Sequence, residues 1–418
     1  MREKLKLYYR CRFTQLSPLR LSGGKNDRTD NDLMLDSRGL PMIPGSALAG
    51  VLRGRLTREE ANLLFGRDTV GDAMTESAVL VGDAALPADA KVRFTHRDGV
   101  GLDKHKVAVK GAKYDFETAE CTAPYTAVIE WSGWSDDPAL PLLDDLLAGA
   151  TAEGLAFGGR TTRGYGRMTA EVCKKVFRFP TDLDVWLAFD PDAADAFADA
   201  DAVAGRETVP QENVLCAELR MTGSFIVRRY TSDVAVDEDK SGPDYCALEN
   251  GNGRPVLPGT GWAGAFRHHM RAMLDEMGGT AQQKADVNEL FGYSDDGVLK
   301  KRSALAFDET EISGGQAYTL TRNALDRFTA GTASKALYTS CVQQGGQGTL
   351  TIRLRRGALD VFQRQLLGAA LLDLDRGYLT VGGENSVGRG RATITALTLN
   401  GYPLQKEDLL HALAEVEK

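Results

Sequence analysis

The sequence has few of the features that mark metalloproteins, secreted proteins and membrane proteins. Its six cysteines lie far apart without a CxxC pair, which argues against a zinc site or a disulfide scaffold and favours a reducing compartment. The five histidines form no metal-binding motif. No apolar run is long enough to cross a bilayer, and the first residues contain no signal-peptide core. We therefore expect a soluble, cytoplasmic protein that does not contact a membrane.

An excess of positive charge is also absent. The formal net charge of −8 argues against a protein coated in basic groups for nucleic-acid binding. Much of the negative charge is local, however, because the stretch 179–205 contains no Lys or Arg. Its acidic residues are Asp182, Asp184, Asp190, Asp192, Asp195, Asp199 and Asp201. A basic groove elsewhere in the chain is therefore compatible with the composition.

The sequence does contain an internal repeat. Four landmarks recur in the same order at offsets of 214 to 226 residues, and they are the pairs Pro44 and Pro258, Phe65 and Phe291, Ser77 and Ser303, and Gly158 and Gly382. Collinear landmarks at nearly constant offset indicate a duplicated or fused pair of homologous domains. We expect a first domain at 1–180, an acidic interdomain linker at 181–210 and a second domain at 211–418.

Periodicity predicts the same order of elements in both domains. Residues 4–13 alternate as a half-buried strand with a basic outer face that carries Lys6, Arg10 and Arg12. Each half then reads as helix, strand, long polar hairpin, strand, helix and strand, with hairpins near 97–121 and 318–342. This order predicts an α+β protein of two tandem ferredoxin-like, RRM-like domains, each with an inserted hairpin. Such a sheet, open on one face, is a common RNA platform.

A glycine-arginine loop near the end of each domain suits phosphate binding. The stretch 158–167 combines four glycines with Arg160, Arg163 and Arg167, and the second copy carries Arg389 and Arg391. Glycines let backbone N–H groups approach an anion, and guanidinium groups add forked donors. The loop is neither a Walker loop nor a dinucleotide fingerprint, so a metabolic enzyme has little support. The alternative is a tight structural turn with solvated arginines.

The two Pro-Gly helix starts offer a second type of anion site. Ser46 and Thr260 are expected at the N-cap positions, where unpaired N–H groups and the helix dipole favour an anion. Arg53 and Arg267 could line the same groove. An ordinary amphipathic helix packed on the sheet is the alternative.

Together these motifs resemble the RAMP superfamily. The resemblance is carried by a Gly-Gly pair, an Asp-bearing loop, the Pro-Gly helix start followed by an arginine, a Leu-Phe-Gly triplet, a hairpin signature at 323–329 (Asn-x-x-Asp-Arg-x-Thr) and the closing glycine-arginine loop. More closely, the chain resembles backbone subunits of type III CRISPR effector complexes. Because the pattern occurs twice, it looks like a tandem fusion of two such subunits, as in III-D-like systems. The first hairpin has only a looser match at 100–104.

The resemblance implies a function. Such subunits hold CRISPR RNA along a filament, insert a thumb hairpin through the guide–target duplex, and in many cases cut target RNA beside each thumb. It therefore implies a divalent-metal-dependent endoribonuclease that uses Mg²⁺ or Mn²⁺. The implied partners are CRISPR RNA, single-stranded target RNA, a large polymerase- or nuclease-like subunit, small helical subunits and further RAMP proteins.

The resemblance also implies catalytic residues. The family's catalytic aspartate precedes a second acid by six residues, and Asp30 has that position relative to Asp36. An aspartate there can hold a divalent cation, with Asp36 as a second candidate ligand, or position a ribose 2′-OH; a solvated loop acid is the alternative. In the second half, aligning Glu249 with Asp36 places Pro243 opposite Asp30, so that Asp244, one residue away, is the candidate. Weaker candidates are Asp233, Asp237 and Asp239.

The residues expected to bind RNA come from the loops, helix starts and hairpins described above. They are Arg20, Gly23, Gly24, Ser46, Arg53, Lys104, Gly158, Gly159, Arg160, Arg163, Arg167, Thr260, Arg267, Asn323, Arg327, Gly382, Gly383, Arg389 and Arg391. Two alternatives stay open for the function: a non-catalytic RNA-binding scaffold, and a guide-RNA-processing ribonuclease that depends on His or Lys.

Overall fold

The computed structural model describes residues 2–24, 32–67, 74–103, 108–206, 210–230, 242–294 and 300–417. The chain divides into two compact units. Unit 1 comprises Met1–Arg97, Tyr114–Thr161 and Tyr165–Pro210, and unit 2 comprises Asp98–Lys113, Thr162–Gly164 and Gln211–Lys418. Within the described ranges, no helix combines the length and apolar character that a bilayer span requires.

The N-terminal half of the chain contains ten strands and four α-helices among its described residues. In chain order they are β1 (Lys4–Gln15), β2 (Ser22–Gly24), β3 (Asp32–Leu33), α1 (Gly45–Arg53), α2 (Arg58–Phe65), β4 (Val79–Val81), β5 (Val92–Leu102), β6 (Ala108–Cys121), β7 (Tyr125–Trp134), α3 (Ala139–Glu153), β8 (Leu155–Ala156), β9 (Arg167–Phe179), α4 (Leu183–Leu187) and β10 (Asp201–Ala202).

The main sheet of unit 1 is antiparallel, with the order β10-β9-β1-β7-β4. The strands β1, β4, β7 and β9 are the first to fourth of a βαββαβ unit, so their order in the sheet is 4-1-3-2, the ferredoxin-like arrangement. Successive side chains of β1 point to opposite faces of the sheet. On one face, Leu7, Cys11 and Phe13 join the core under the helices. The predicted strand at 4–13 is confirmed.

The C-terminal half repeats this plan. Its elements are β11 (Glu212–Met221), β12 (Ser224–Phe225), β13 (Arg228–Tyr230), β14 (Tyr245–Ala247), β15 (Val256–Leu257), α5 (Gly259–Glu276), α6 (Ala281–Leu290), β16 (Tyr293–Ser294), β17 (Lys300–Lys301), β18 (Leu305–Phe307), β19 (Thr310–Glu311), β20 (Gln316–Leu325), β21 (Thr332–Gln344), β22 (Gln347–Arg355), α7 (Val361–Asp375), β23 (Ala392–Leu399), β24 (Tyr402–Leu404) and α8 (Leu409–Glu415).

The main sheet of unit 2 has the order β18-β22-β11-β23-β24. Its strands β23, β11, β22 and β18 correspond to β9, β1, β7 and β4, so both halves have the same 4-1-3-2 order. The buried core again lies under the helices, around Trp262 and Phe266 of α5 and Phe307 of β18. The predicted α+β fold of two tandem ferredoxin-like domains is confirmed.

Each half inserts a hairpin between its second and third sheet strands, as predicted. These are β5 with β6 and β20 with β21. The foot of the second hairpin is widened into a separate sheet, because β21 pairs in parallel with β14 and antiparallel with β12 and β20. The loop that follows β11 is thereby joined to the hairpin.

Both first helices begin differently from the prediction. The N-cap residues are Pro44 and Pro258, so Ser46 and Thr260 lie inside the first turn and cap no backbone N–H. The N–H of Gly45 instead donates to the carboxylate Oδ1 of Asp83 at 2.7 Å. The prediction of hydroxyl N-caps is wrong because the helices begin at Gly45 and Gly259, one residue before the hydroxyl residues. In the first helix, the carboxylate of Asp83, two residues after β4, supplies the acceptor. It also takes the place that an external anion was expected to occupy in unit 1.

The outer face of the unit 1 sheet is covered, contrary to the expectation of an open basic platform. Residues 182–202 pack on it: Phe197 is buried, and the Phe189 ring lies 4.9 Å from Tyr8 and 5.0 Å from Phe177. Lys175 donates to Asp199 at 2.7 Å. The acidic stretch therefore lies against the basic strand face, where opposite charges attract and aromatic rings exclude water. The domain boundary at 181–210 stays a prediction.

Removing the largest buried anchor of this cover should destabilise unit 1. Phe197→Ala deletes a buried ring, so we expect the free energy of unfolding to fall by about 3 kcal/mol. Leu187→Ala, on the same segment but exposed, should change it by less than about 0.5 kcal/mol. Urea unfolding curves of the full chain measure both. Equal effects would show that the segment is not packed as described.

Candidate nucleic-acid interface

The glycine loop of unit 1 is held against the segment that follows β1. Gly158 has φ 81° and lies so close to the carbonyl oxygen of Arg20 that a Cβ would overlap it. The N–H of Gly159 donates to the same oxygen at 2.8 Å. Only glycine fits such an approach at positive φ. The glycines therefore bring Arg20 and the following Arg160 to one place.

Two arginines and two aromatic rings form a cluster at this place. The guanidinium of Arg160 lies 4.4 Å from the ring centroid of Tyr114 and donates to its hydroxyl at 2.7 Å. Arg20 lies 4.9 Å from the centroid of Phe116, which Arg160 also approaches at 5.0 Å. Burial and the nearby charge of Arg160 lower the pKa of Arg20. Among the described residues, no carboxylate forms an ion pair with either guanidinium.

The glycine loop of unit 2 is built in the same way. The N–H of Gly383 donates to the carbonyl oxygen of Ile226 at 2.7 Å, and Gly382 has φ 91°. The next residue has a left-handed backbone in both loops: Arg160 at φ 60° and Glu384 at φ 57°. The two loops therefore present opposite charges from equivalent positions, 224 residues apart.

Glu384 joins three arginines and a tyrosine. Its Oε2 contacts Arg322 and accepts from Nε of Arg389 at 2.8 Å, while its Oε1 accepts from Arg228 at 3.2 Å and from the hydroxyl of Tyr245 at 3.0 Å. Burial alone would raise the pKa of Glu384, but the hydrogen bonds from Arg322, Arg389 and Tyr245 outweigh it and lower the pKa to about 2. The carboxylate is therefore charged at neutral pH.

A cavity of about 360 Å³ lies beside this group. Its lining residues are Arg228, Tyr245, Arg322, Tyr338, Glu384, Ser386 and Val387. Arg228 lies 4.6 Å from the ring centroid of Tyr245, and Arg322 lies 5.4 Å from that of Tyr338. As in unit 1, guanidinium groups and aromatic rings meet between the glycine loop and the foot of the hairpin.

The acidic loop before each first helix reveals the correct register between the halves. Oδ1 of Asp36 accepts from the N–H groups of Arg38 and Leu40 at 2.8 and 3.0 Å. Oδ1 of Asn250 accepts from the N–H groups two and four residues further on, each at 3.0 Å. Asn250 is therefore the counterpart of Asp36, and Gly39 and Gly253 share positive φ in the two turns.

This register corrects the alignment of Glu249 with Asp36, which is wrong by one residue. The corrected offset of 214 is also the offset between Pro44 and Pro258, so the alignment runs without a gap. Asp244 then lies opposite Asp30, and both precede the turn residue by six positions. The second half therefore has an aspartate at the first position of the pattern, whereas Asn250 stands in place of the second acid.

Asp244 lies at the foot of the hairpin. It is exposed, its Oδ2 accepts from the N–H of Thr339 at 2.7 Å, and its own N–H donates to the carbonyl oxygen of Thr339 at 2.9 Å. Its chain neighbour Tyr245 and the neighbour of Thr339, Tyr338, both line the cavity. Asp30 and the weaker candidates Asp233, Asp237 and Asp239 lie outside the described residues.

The described residues do not provide a metal-ligand set. Both oxygens of Asp36 are engaged, Oδ1 with the turn and Oδ2 with Arg38 at 2.7 Å. Desolvation is the largest single influence on the pKa of Asp36 and raises it, but the hydrogen bonds from Arg38 and Leu40 together outweigh desolvation and lower the pKa. No group of three His, Cys, Asp or Glu side chains converges within the described ranges. Asp36 therefore fits the role of a turn residue better than that of a cation ligand.

The hairpin signature forms the tip of the second hairpin. Asp326 accepts from the N–H groups of Phe328 and Thr329 at 3.0 and 2.8 Å, which closes the turn. Asn323 donates to Thr332 across the hairpin at 3.1 Å. Phe328 is 94% exposed, and Arg327 is exposed beside it. Lys104, from the first hairpin, lies outside the described residues.

Several predicted RNA-binding arginines make structural contacts. Arg53 donates to the carbonyl oxygen of Gly66 at 3.1 Å, and Arg267 to Oδ1 of Asn288 at 3.2 Å, so both join the first two helices of their halves. Within unit 2, which includes Thr162–Gly164, Arg163 donates to the carbonyl oxygen of Phe291 at 2.7 Å.

The remaining predicted positions differ in accessibility. Arg389 is 4% exposed and bound to Glu384, so it orders the loop, whereas Arg391 is exposed. Arg167 is half-buried, and its N–H donates to Ser17 at 2.9 Å. Ser46 is exposed, Thr260 is half-buried, and Gly23 and Gly24 form β2.

The residues around the cavity of unit 2 are not among those that the sequence motifs predicted. They are Arg228, Tyr245, Arg322, Tyr338 and Glu384. One signal could have found Tyr338, because it lies at the 224-residue offset from Tyr114 that relates the two glycine loops. The others come from four different segments, which only the folded chain brings together.

These features define a protein of two tandem ferredoxin-like domains, each with a glycine loop, a hairpin and an arginine-aromatic cluster between them. The sequence profile of the RAMP superfamily matches residues 12–169 and 234–393, one match in each half and together more than half of the chain. The chain belongs to the RAMP superfamily, as the motifs predicted. No curated protein matches the sequence.

Solved structures resemble parts of the chain. One is from a cryo-EM structure of the type III-B Cmr-beta bound to cognate target RNA, with 11% identity and a TM-score of 0.32, covering 40% of this chain and 96% of that chain. Another is from the apo state of type III-B Cmr-beta, with 10% identity and a TM-score of 0.32, covering 42% of this chain and 97% of that chain.

Loss of the Glu384 charge should destabilise unit 2 in a pH-dependent way. The pKa of this carboxyl is lower in the folded chain than its ordinary value of 4.5, so its contribution is complete above pH 4.5 and is lost as the pH falls toward 2. We expect Glu384→Gln to reduce the free energy of unfolding by about 3 kcal/mol at pH 7.

Denaturant unfolding of the wild type and Glu384→Gln at several pH values measures this effect. The difference between them should shrink between pH 4.5 and 2. Glu407→Gln, at an exposed acid of the same unit, should show almost no difference at any pH. A difference for Glu384→Gln that does not change with pH would contradict the assignment.

Proposed function

We propose that this protein is a guide-RNA-binding backbone subunit of a type III CRISPR effector complex, and that it cuts target RNA complementary to the guide. The observation that supports it best is the repeated cluster of arginines and aromatic rings between a glycine loop and a hairpin in a RAMP chain. Guanidinium groups hold phosphates, and aromatic rings stack on bases without reading their sequence. Sequence selection then comes from pairing with the guide.

The cutting residues in this proposal are Asp30 and Asp244. They are equivalent under the register that the two turns define, and Asp244 immediately precedes Tyr245, which lines the cavity of unit 2. An aspartate there accepts the proton of a ribose 2′-OH. The 2′-oxygen then bonds to the adjacent phosphorus and the bond to the 5′-oxygen breaks, which leaves a 2′,3′-cyclic phosphate and a 5′-hydroxyl that takes its proton from water.

The proposed partners are CRISPR RNA, single-stranded target RNA and other subunits of the complex, including a large polymerase- or nuclease-like subunit, small helical subunits and further RAMP proteins. A non-catalytic scaffold is the second candidate. It is favoured by the structural use of several predicted RNA-binding residues, among them Arg53, Arg267 and Arg389.

Substituting the two aspartates separates these candidates. In a reconstituted complex with guide and labelled target RNA, the wild type should cut at two positions. Asp30→Ala should abolish one cut and Asp244→Ala the other, each by at least about a hundredfold, because a lost general base costs that much. Asp27→Ala and Glu238→Ala, at neighbouring loop acids, should leave both cuts intact. Unchanged cutting by the double Asp30→Ala, Asp244→Ala variant favours the scaffold.

A separate experiment, without substitutions, tests whether cutting depends on a divalent cation. EDTA should stop cutting, and Mg²⁺ or Mn²⁺ should restore it, if the cofactor implied by the family resemblance acts here. Target binding, measured in the same samples by gel shift, should persist in EDTA. If cutting continues at full rate in EDTA, neither Mg²⁺ nor Mn²⁺ is required, and the aspartates act without a metal ion.

A further inference from the structure

We propose that Cys246 and Cys341 are a thiol pair that a small disulfide oxidises to a reversible disulfide bond, which links the second hairpin to the segment before α5. The inference does not depend on RNA binding, because it rests on the strand register of unit 2 and on the chemistry of two thiols. The two cysteines are 95 residues apart in the chain (341 − 246 = 95), and no sequence motif relates them.

The sheet at the foot of the hairpin places these two cysteines side by side. β14 and β21 run parallel there, and Cys246 is the Cα partner of Cys341. Neighbouring strands lie about 4.8 Å apart, within the range of roughly 4.4 to 6.8 Å that separates the Cα atoms of a disulfide. The two thiols already form a hydrogen bond with each other. Small rotations about the Cα–Cβ bonds therefore bring the sulfur atoms to bonding distance.

Both thiols lie on the half-exposed face of this sheet. Their chain neighbours Tyr245, Ala247 and Val342 pack together in a small buried cluster on the opposite face, as alternation along a strand requires. Cys246 and Cys341 are themselves half-buried, and neither is in a disulfide. A small solute therefore has access to the pair without unfolding of the core.

Cys11 and Cys173 show that adjacent strands alone are not sufficient. β1 and β9 are also neighbours, but the Cα partner of Cys173 is Arg10 and not Cys11. An offset of one residue sends the two side chains to opposite faces of the sheet, and Cys11 is buried. The pair that is in register and on one face is Cys246 with Cys341.

A bond at this position joins two segments that few other contacts hold together. Within the described residues, β14 and β21 are paired only at 245–246 and 340–341. Asp244 and Thr339 add two hydrogen bonds beside this pairing. So short a pairing is expected to open locally at a low cost in free energy. A covalent link across it prevents the opening, and also fixes the backbone of Asp244, two residues before Cys246.

The reaction is thiol–disulfide exchange with a small disulfide such as oxidised glutathione. The thiolate of one cysteine bonds to a sulfur of the small disulfide, which releases one small thiolate; the other cysteine then bonds to the attached protein sulfur and releases the second. Two protein thiols are oxidised, one small disulfide is reduced to two thiols, and the protons of the cysteines pass to the released sulfurs. The second step is intramolecular, so it is favoured over capture of another small disulfide.

The surroundings of the pair determine how readily it reacts. Burial is the largest influence on the pKa of Cys246 and raises it, and the adjacent Cys341 raises it further. The positive charge of Arg229 lowers the pKa in part, whereas Glu249 adds a smaller rise. Because the thiolate is the attacking species, exchange is expected to be slow at neutral pH and faster in mild alkali.

Thiol mapping on the full chain tests the inference. After incubation of the wild type with excess oxidised glutathione at about pH 8.5, alkylation and peptide mass spectrometry should show Cys246 bonded to Cys341. Cys246→Ser should instead leave one glutathione on Cys341, because the second step has lost its nucleophile. Cys216→Ser, at a half-buried cysteine of the same unit, should form the bond as the wild type does.

Hydrogen exchange measures the link itself. Oxidation of the wild type should slow exchange of the backbone amides at 244–247 and 339–342 by at least about tenfold, and should not slow it in Cys246→Ser. If both cysteines of the wild type stay free or each carries glutathione, the inference is overturned, because sulfur atoms within reach of each other displace glutathione. A bond that forms without slowing exchange overturns the claim that it holds the hairpin. Neither readout involves RNA, so failure here leaves the proposed function intact.

Discussion

The close approach of glycine backbone to a neighbouring carbonyl oxygen is the constraint on which both candidate interfaces depend. Gly158 lies against Arg20, and Gly382 lies against Ile226, each at a φ that favours glycine. A side chain at either position would overlap the backbone, so the loop could not reach the segment that follows the first strand. The residue two positions later, Arg160 or Glu384, is thereby placed beside the foot of the hairpin.

The same scaffold carries opposite charges at that point, with different electrostatic consequences. In unit 1, Arg160 adds to the charge of Arg20, and aromatic rings rather than carboxylates surround the pair. In unit 2, Glu384 gathers three guanidinium groups and holds them in fixed directions. The two halves therefore share the backbone of the glycine loop but differ in the charge of the side chain that the loop presents. Proteins with one fold differ in function through such sites.

The acidic stretch after β9 changes the expected use of the first sheet. Tyr8 and Lys175 lie on the face that an RRM-like domain commonly offers to RNA, yet Phe189, Phe197 and Asp199 occupy that face. Local composition suggested a linker, because aspartates and alanines without a basic residue rarely build a core. Packing of Trp186, Phe189 and Phe197 against the sheet outweighs this tendency. The RNA binding that we propose therefore involves the loops and hairpins and not this face.

Much of the architecture follows from sequence pattern alone, because period-two alternation, turn residues and a repeated order of landmarks act locally. These features determined the tandem fold, the two hairpins and the glycine loops. They did not determine the register of the acidic loop, since Glu249 and Asn250 both resemble a counterpart of Asp36. That was decided by backbone hydrogen bonds in the turn.

The cavity of unit 2 was likewise decided only by tertiary structure. Its arginines, tyrosines and Glu384 come from segments that are far apart in the chain, and no local pattern relates them. Packing of the loop on the hairpin brings them together, and mutual charge attraction then selects their directions. The sequence by itself determined which elements form, because that depends on neighbours in the chain. The folded structure decided which side chains meet, because that depends on distances between elements.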